Sequence, residues 1–195
     1  SALREARSEG QPATGEASPH HLLLTEDACD NWNTLAKVNP PLRTSADIEA
    51  IKSGIAEGII TVLATDHAPH PAASKDTDFA SAAFGMVGLE CALPLYREAL
   101  IDDGVLDWPA MLGMMTCEAA AVAGLDQLGL GRLEVGGPAD VTVIDPDAAW
   151  AIDPSQFHST GRNCPFAGRM ATGRALATIV DGRITASAIE GRALA

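Results

Sequence analysis

The chain has 195 residues, of which 47% are hydrophobic, so it is long enough to bury a core. Its 13 Lys and Arg side chains are outnumbered by 26 Asp and Glu side chains, which gives a formal net charge of −13 at pH 7. A chain this acidic, without a cluster of basic residues, is not expected to bind nucleic acid, and small molecules or other subunits are the expected partners.

The first part of the chain predicts a helix followed by two strands. Residues 2–9 are charged and helix-like, and a short extended segment at 13–18 follows. Residues 35–39 are a second strand candidate, which ends at Pro40-Pro41 because proline cannot donate a hydrogen bond to a neighbouring strand. The first strand leads directly into His20, and the second ends at Asn39.

A helix and a buried strand come next. Thr44 and Asp47 have the spacing of a capping pair, so we expect an amphipathic helix over residues 45–57. Residues 59–65 are apolar and β-branched without strict alternation, which is typical of a strand covered on both faces of a parallel sheet. Strand, helix and strand in this order indicate a parallel α/β fold.

The rest of the chain predicts a long loop, two helices and a β domain. The loop covers residues 71–86, and the helices are expected at 87–101 and 109–123. From about Gly129 the pattern alternates, and Asp181-Gly182 between two such stretches predicts a hairpin. We therefore expect a partial α/β barrel at 1–128 and a small β domain at 129–195.

Reactive side chains follow all three predicted strands. A carboxylate and histidines at the carboxyl ends of parallel strands are typical of the active-site face of a β/α barrel, and imidazole and carboxylate both suit zinc. The alternative is that these residues only cap turns, as Asp and His often do after a strand. Four of the five histidines belong to this set, which favours a metal site: His20, His21, Asn39, Asp66, His67 and His70.

The remaining candidates are expected to be structural. His158 lies in the β-domain segment, and Cys29 and Cys91 have no sequence-readable link to a histidine or cation, so we expect them to be small buried hydrophobes. The four cysteines lack a C-x-x-C spacing, which favours reduced thiols in a cytoplasmic protein. We expect neither a signal peptide nor a membrane span.

Four segments together resemble the dihydroorotases of the bacterial type I group. The pattern A-T-D-x-A-P-H-x-x-x-x-K is close to specific for that family among amidohydrolases, and the order and spacing of all four segments match. The closing stretch, with Asn163-x-Pro165-Phe166, resembles the family's terminal β domain. The four segments are Pro19 to Thr25, Lys37 to Arg43, Ala64 to His70 with Lys75, and Phe84 to Glu90.

The resemblance implies a zinc-dependent enzyme on a TIM barrel that interconverts N-carbamoyl-L-aspartate and L-dihydroorotate in pyrimidine synthesis. His20 would be a zinc ligand from the sixth strand and Asp66 one from the eighth. Asp66 would also be the general base and acid that carries a proton from the zinc-activated nucleophile to the leaving amide nitrogen.

The resemblance also implies a substrate pocket. Asn39 and His70 would hold the carboxylate and ring of the substrate, with backbone amides near Phe84 and Gly85 assisting. The residues His21 and His67 match no ligand position and are expected to support or pack against the site, and Arg43 ranks low as a substrate contact.

The chain departs from the family in one large respect. The family also needs an H-x-H pair after its first barrel strand, and no H-x-H occurs in this sequence. A full barrel takes about 250 residues, and residues 1–128 supply about half of that number. We therefore expect the carboxyl-terminal half of a dihydroorotase, strands six to eight, which alone binds at most one of two zinc ions and is inactive without the amino-terminal half.

Two alternatives stay open at this point. One is a hydantoinase or allantoinase, which shares the barrel, the metals and the ring-opening chemistry. The other is a non-catalytic dihydroorotase-like subunit that acts as a scaffold for aspartate carbamoyltransferase. A homodimer is a further partner arrangement that the sequence does not resolve.

Overall fold

The structure is a computed structural model, and it describes residues 2–188. Regular elements alternate along the first part of the chain, and three strands dominate the last part. The helices are α1 (Ala2–Ser8), α2 (Pro19–Leu23), α3 (Ser45–Ala56), α4 (Ala92–Tyr96), α5 (Trp108–Met115) and α6 (Cys117–Val122). The strands are β1 (Glu16–Ala17), β2 (Val62–Leu63), β3 (Val141–Ala151), β4 (Met170–Val180) and β5 (Arg183–Ser187).

Shorter turns of helix connect these elements. Six are 3₁₀ helices and one, Arg97–Asp102, is a π-helix that continues α4. The described 3₁₀ helices are Glu26–Trp32, Thr34–Ala36, Ala72–Ser74, Leu89–Cys91, Asp126–Leu128 and Pro154–Gln156. The predicted loop 71–86 therefore contains one short turn, and the helices predicted at 87–101 and 109–123 are present but interrupted.

Helix α3 begins as the sequence predicts. The Thr44 hydroxyl accepts a hydrogen bond from the backbone N–H of Asp47, and the Asp47 carboxylate accepts one from the backbone N–H of Thr44. This reciprocal capping box satisfies two backbone donors that a helix start would otherwise leave unpaired. The predicted helix over 45–57 is confirmed to within one residue.

Strands β1 and β2 pair directly and in parallel, with Glu16 opposite Val62 and Ala17 opposite Leu63. The predicted strand 59–65 is shorter than expected because the backbone N–H groups of Ile59 and Ile60 both bond to the Gly54 carbonyl, in the turn that ends α3. The α/β fold class is confirmed, since adjacent parallel strands are joined through a helix.

The strand predicted at residues 35–39 is wrong. Residues Thr34–Ala36 form a 3₁₀ helix instead, and the Asn33 side chain caps it by accepting a hydrogen bond from the Leu35 N–H. The direct pairing of β1 with β2 leaves no position between them for this segment. The Lys37 carbonyl accepts its backbone bond from Gly85, in a loop, rather than from a strand.

Strands β3, β4 and β5 form a separate antiparallel sheet in that order. Asp181 and Gly182 connect β4 to β5 with φ angles of 50° and 73°. Two consecutive positive φ angles are the geometry of a type I′ turn, which matches the right-handed twist of the flanking strands. The predicted hairpin is therefore confirmed.

Two apolar clusters hold the elements together. One lies behind β1 and β2 and includes Leu22, Leu63, Tyr96, Leu100 and Met111. The other joins both parts of the chain, and its buried members are Ala36, Val38, Leu42, Met86, Val87, Cys91 and Leu95 from the first part with Ile152, Phe157, Cys164, Phe166 and Ala171 from the second. The domain boundary at residues 128 and 129 stays a prediction, and the shared core fixes how the β sheet lies against the α/β part.

Among residues 2–188, no helix is both long enough and apolar enough to cross a membrane.

Candidate active site

His20 and Asp66 meet at the carboxyl ends of β1 and β2. His20 lies in the first turn of α2, three residues after β1 ends, and Asp66 lies three residues after the end of β2. Because the two strands are parallel and adjacent, their carboxyl ends share one edge of the sheet. His20 Nε2 is 3.4 Å from Asp66 Oδ2. The pair that sequence reasoning chose as metal ligands is thus brought together.

The backbone below this pair is held by Tyr96, which is fully buried. Its hydroxyl lies 2.8 Å from the Ala17 carbonyl oxygen and 2.6 Å from the Ala64 carbonyl oxygen. Burial, together with the charges of Glu16 and Asp66, raises the pKa of Tyr96 and keeps the hydroxyl protonated as a donor. Tyr96 therefore ties the ends of β1 and β2 to each other.

Asp66 has an unusual backbone conformation. Its φ is 47°, in the left-handed region that non-glycine residues rarely adopt. Such a conformation persists only where the surrounding structure holds it, and strained residues of this kind cluster at functional sites. The carboxylate projects from the strand end with 45% of the side chain exposed.

His20 is a neutral imidazole in this structure. The side chain is 1% exposed, and burial, with a smaller contribution from His21, lowers its pKa to about 3. Its Nε2 atom lies 2.9 Å from the Ser18 hydroxyl oxygen. A neutral imidazole is the protonation state that binds a metal.

The hydroxyl of Ser18 links the two histidines. His21 Nε2 lies 2.9 Å from the Pro40 carbonyl oxygen, which can only accept, so this nitrogen carries the hydrogen. His21 Nδ1 then accepts from the Ser18 hydroxyl at 2.7 Å, and the Ser18 oxygen accepts from His20 Nε2. Metal binding through His20 Nε2 would require that hydrogen to move to the other ring nitrogen.

The predicted substrate contacts His70, Phe84 and Gly85 lie together. His70 Nε2 is 2.8 Å from the Phe84 carbonyl oxygen, and a Cβ at Gly85 would lie 2.5 Å from the Ala68 Cβ. Gly85 also has a φ of 114°, so only glycine allows this approach of the two segments. The Phe84 ring is mostly exposed.

Asn163 joins the same two segments from the second half of the chain. Its side-chain oxygen accepts from the His70 backbone N–H at 2.9 Å, and its amide nitrogen donates to the carbonyl oxygens of Ala68 and Gly85 at 3.0 and 3.2 Å. The side chain is buried and uses three of its hydrogen-bonding positions. Asn163 therefore holds the loop after β2 in a defined shape.

Two buried lysines shape the loop 71–86 without a carboxylate partner among the described residues. The Lys75 ammonium donates to the carbonyl oxygens of Thr34, Lys37 and Ala83 at 3.0, 3.3 and 2.7 Å. The Lys37 ammonium donates to three carbonyls of the loop, those of Phe79, Ala80 and Ala82, at 2.7 to 2.8 Å. Burial and the neighbouring Lys37 lower the pKa of Lys75 to about 8.

The other predicted residues lie apart from the His20–Asp66 pair or support it. Asn39 is exposed and its side chain forms no hydrogen bond with the described part of the chain. Arg43 is exposed and pairs with Asp47 at 3.8 Å, so it serves helix α3 in this structure. His158 is exposed, and the Cys91 thiol is fully buried, with a pKa raised by its contact with Cys164 and by burial.

Sequence reasoning missed several residues of this region. Ser18 and Tyr96 act through single hydroxyl groups, and nothing in their local sequence distinguishes them from ordinary core or turn residues. Asn163 belongs to the closing stretch that resembles the family, but its distance along the chain does not predict its contact with residues 68–70.

The metal-binding capacity of this site is limited to two donors. Within residues 2–188, no group of three or more His, Cys, Asp or Glu side chains is close enough to hold a metal ion. His20 Nε2 and Asp66 Oδ2 have the chemistry of a zinc pair, whereas a catalytic zinc usually has three protein ligands. The residues present therefore fit part of a zinc site.

Comparison with known proteins gives a consistent picture. The model of the amidohydrolase family matches residues 15–186. A dihydroorotase from Syntrophotalea carbinolica is 48% identical over 183 residues, which are 94% of this chain and 42% of that protein. A dihydroorotase from Pelotomaculum thermopropionicum is 46% identical over 182 residues, with 93% and 42% covered.

A solved structure has the same fold. The L-hydantoinase (dihydropyrimidinase) from Arthrobacter aurescens superposes with a TM-score of 0.88 at 31% sequence identity, over 95% of this chain and 42% of that one. The chain thus spans about 42% of the length of the relatives it matches.

Proposed function

The chain belongs to the amidohydrolase family, and from that premise we propose that the whole protein is a dihydroorotase, which interconverts N-carbamoyl-L-aspartate and L-dihydroorotate in pyrimidine synthesis. The observation that carries the proposal is the meeting of buried, neutral His20 with half-exposed Asp66 at the ends of two parallel strands. The dihydroorotase relatives at 46–48% identity support this choice of substrate.

We propose zinc as the metal, with His20 and Asp66 as two of its ligands. A bound zinc ion would supply Lewis-acid chemistry, since it polarises a carbonyl and lowers the pKa of water to about 7. Two donors are too few for a catalytic site. The remaining ligands would come from the amino-terminal half of the enzyme, as a chain spanning 42% of its relatives allows.

Asp66 is proposed as the proton carrier. Its carboxylate is accessible from solvent, and His20 Nε2 lies beside one of its oxygens. In the ring-opening direction, Asp66 accepts the proton of the attacking water and gives it to the amide nitrogen as the C–N bond breaks. In the cyclisation direction, the same carboxylate takes the proton from the attacking nitrogen as the C–N bond forms and gives it to the oxygen that leaves as water, so one residue serves as base and acid.

His70, with Phe84 and Gly85, is proposed to bind the substrate. Because His70 Nε2 donates to the Phe84 carbonyl, Nδ1 of the neutral ring has a lone pair that can accept an N–H group of the substrate. Asn39 is exposed and precedes Pro40, whose carbonyl oxygen His21 contacts. Its amide is proposed to donate to the substrate carboxylate.

A second candidate function is hydantoin hydrolysis, because a solved L-hydantoinase shares the fold at 31% identity. Hydantoinases open a cyclic amide by the same kind of step, so the site described here is compatible with both. The higher identity to dihydroorotases favours dihydroorotate. A non-catalytic scaffold for aspartate carbamoyltransferase is less favoured, because His20 and Asp66 remain in contact.

The test is an assay of the purified whole protein, loaded with zinc, against dihydroorotate, hydantoin and allantoin. We expect turnover of dihydroorotate at a kcat/KM at least about 100-fold above that for the other two, since substrate-specific polar contacts give discrimination of this size or more. Preference for hydantoin would replace the proposal by the second candidate. No turnover of any of the three, with metal bound, would support the scaffold.

A further inference from the structure

The residue next to Asp66 is held in one tautomer by its surroundings. The backbone N–H groups of Gly88 and Leu89 both donate to His67 Nδ1, each at 3.2 Å. A nitrogen that accepts hydrogen bonds carries no hydrogen, so the neutral ring has its hydrogen on Nε2. His67 Nε2 lies 3.1 Å from the Ser159 hydroxyl oxygen and donates to it.

The chain of hydrogen bonds continues to a carboxylate. The Ser159 hydroxyl donates to Glu90 Oε1 at 2.7 Å, and the Ser159 backbone N–H donates to the same oxygen at 2.8 Å. The direction of every hydrogen is therefore determined, from His67 to Ser159 to Glu90. This arrangement excludes a nucleophilic serine, because His67 donates to Ser159 and cannot take its proton.

The hydrogen bonds from His67 through Ser159 to Glu90 connect segments that are far apart in the sequence. His67 follows β2, Glu90 lies in the 3₁₀ helix Leu89–Cys91, and Ser159 lies between β3 and β4. The backbone N–H of Ala68 also bonds to the Met86 carbonyl at 2.9 Å. The segment immediately after Asp66 is thus fixed by both backbone and side-chain contacts.

Asp66 lies between two anchored points. On one side Tyr96 holds the Ala64 carbonyl, and on the other the His67 ring is fixed at both nitrogens. Asp66 itself has a left-handed backbone, a conformation that a non-glycine residue keeps only where the surrounding structure holds it. Contacts that hold its neighbours are therefore needed to keep its carboxylate beside His20.

We propose that His67, Ser159 and Glu90 form a positioning relay that holds the Asp66 carboxylate against His20, with Ser159 as the positioning residue that the β-rich part of the chain contributes. The catalytic consequence rests on the proposed function, whereas the relay itself is a property of this chain. The hydrogen bonds of the Ser159 hydroxyl go to His67 and Glu90, so Ser159 acts on Asp66 through His67.

The test compares Ser159→Ala with two other variants. Ser159→Thr keeps the hydroxyl, and Ser155→Ala is the matched control, because Ser155 is exposed and does not contact His67. The first measurement is NMR on this chain, with the His67 ring ¹⁵N shifts and the Asp66 carboxyl ¹³C shift. We expect Ser159→Ala to move both signals, Ser155→Ala to move neither, and Ser159→Thr to restore them at least in part.

The second measurement is steady-state kinetics of the whole protein with zinc. Replacing a hydrogen-bonding partner that orients a metal ligand commonly reduces activity about 10- to 100-fold, and we expect a loss of that size in kcat with KM changed less than about twofold. If kcat fell only in proportion to the fraction of folded protein, and the Asp66 carboxyl ¹³C shift did not change, the role of Ser159 would be purely structural and the proposal would be overturned.

The two measurements separate two failures. If the parent protein turned over no dihydroorotate, the proposed function would fail, and the relay would still be judged by the Asp66 carbon signal. If that signal stayed unchanged in folded Ser159→Ala, the relay would be refuted whatever the activity. Should Ser159→Ala fail to fold, Glu90→Gln gives the readout instead, because it replaces the charged acceptor of the Ser159 hydroxyl by a neutral one and keeps the size of the side chain.

Discussion

His20 Nε2 lies 3.4 Å from Asp66 Oδ2, yet the two side chains have opposite exposures, 1% for His20 and 45% for Asp66. A buried neutral imidazole keeps a fixed position, and an accessible carboxylate can reach a substrate. This difference in exposure supports the proposed roles, a metal ligand for His20 and a metal ligand and proton carrier for Asp66.

Replacing Asp66 by Asn tests this division of roles. The amide keeps the size of the side chain but cannot accept a proton, so we expect kcat of the zinc-loaded whole protein to fall at least about 100-fold. The control is Asp76→Asn, because Asp76 is an exposed residue of the loop 71–86. Retention of more than about a tenth of the parental kcat by Asp66→Asn would contradict the assignment.

Replacing Tyr96 by Phe removes the hydroxyl that ties β1 to β2. We expect the free energy of unfolding to fall by about 1–3 kcal/mol, because the buried carbonyl of Ala17 and the half-buried carbonyl of Ala64 both lose this donor. Thr185→Val is the control, since Thr185 makes a hydroxyl to carbonyl bond of 3.1 Å at an exposed position. Urea denaturation of the chain measures both, and equal effects of the two variants would show that burial does not matter here.

Replacing Gly161 by Ala should disturb the loop that carries His70. A Cβ at Gly161 would lie 2.7 to 2.8 Å from Pro69 Cβ and Cα and from the His70 nitrogen, so backbone atoms must shift. We expect a destabilisation of about 1–3 kcal/mol.

The matched control for Gly161 is Gly113→Ala in α5, where a Cβ would meet only the Cys117 sulfur at 3.7 Å. Alanine favours a helix over glycine by about 0.5–1 kcal/mol, so we expect Gly113→Ala to be neutral or stabilising. Thermal unfolding of both variants measures the two effects. A Gly161→Ala protein as stable as the parent, with an unchanged NMR shift of the His70 amide, would contradict the prediction.

Replacing Lys75 by Met tests whether the Lys75 ammonium holds the loop 71–86 in place. The change removes the ammonium donor from three carbonyl oxygens, of which those of Thr34 and Lys37 keep a backbone donor. We expect the free energy of unfolding to fall by about 1–3 kcal/mol and proteolysis within the loop to become faster. Lys52→Met is the control, because Lys52 pairs with the carboxylates of Asp103 and Glu49 and donates to no carbonyl oxygen of the loop. Unchanged proteolysis of Lys75→Met would show that the loop is held by other contacts.

The lowered pKa of Lys75 also predicts a pH dependence of stability. Burial and the neighbouring Lys37 lower the pKa of Lys75 from its ordinary value of 10.5 to about 8, so the unfolded chain binds more protons than the folded chain between these values. Stability should therefore rise with pH across that window, and this contribution is fully present above 10.5 and lost as pH falls through 8.

The measurement is the free energy of unfolding of the parent and of Lys75→Met at pH 7.5, 8.5 and 9.5. The other titrating groups are shared, so the difference between the two curves isolates Lys75. We expect the free energy of unfolding of the parent to increase relative to that of Lys75→Met as pH rises. Parallel curves for the two proteins would show that the pKa of Lys75 is not lowered.

Local features of the chain could be predicted because they depend on neighbouring residues. Thr44 and Asp47 form their capping box within one turn, and Asp181-Gly182 forms its turn within two residues. The motif around Asp66 could also be identified, since its residues are contiguous. The strand predicted at 35–39 failed because β-branched and apolar residues form a strand only where a partner strand is available.

The sequence by itself determined the family and the α/β class, and it singled out His20 and Asp66 as the proposed reactive pair, because each of these depends on residue type and spacing. Only the tertiary structure decided that β1 pairs directly with β2, that Tyr96 ties their ends, and that Ser159 reaches His67 from the β-rich part. Those contacts join residues that are distant in the chain, and their formation depends on how buried apolar surfaces pack rather than on local sequence.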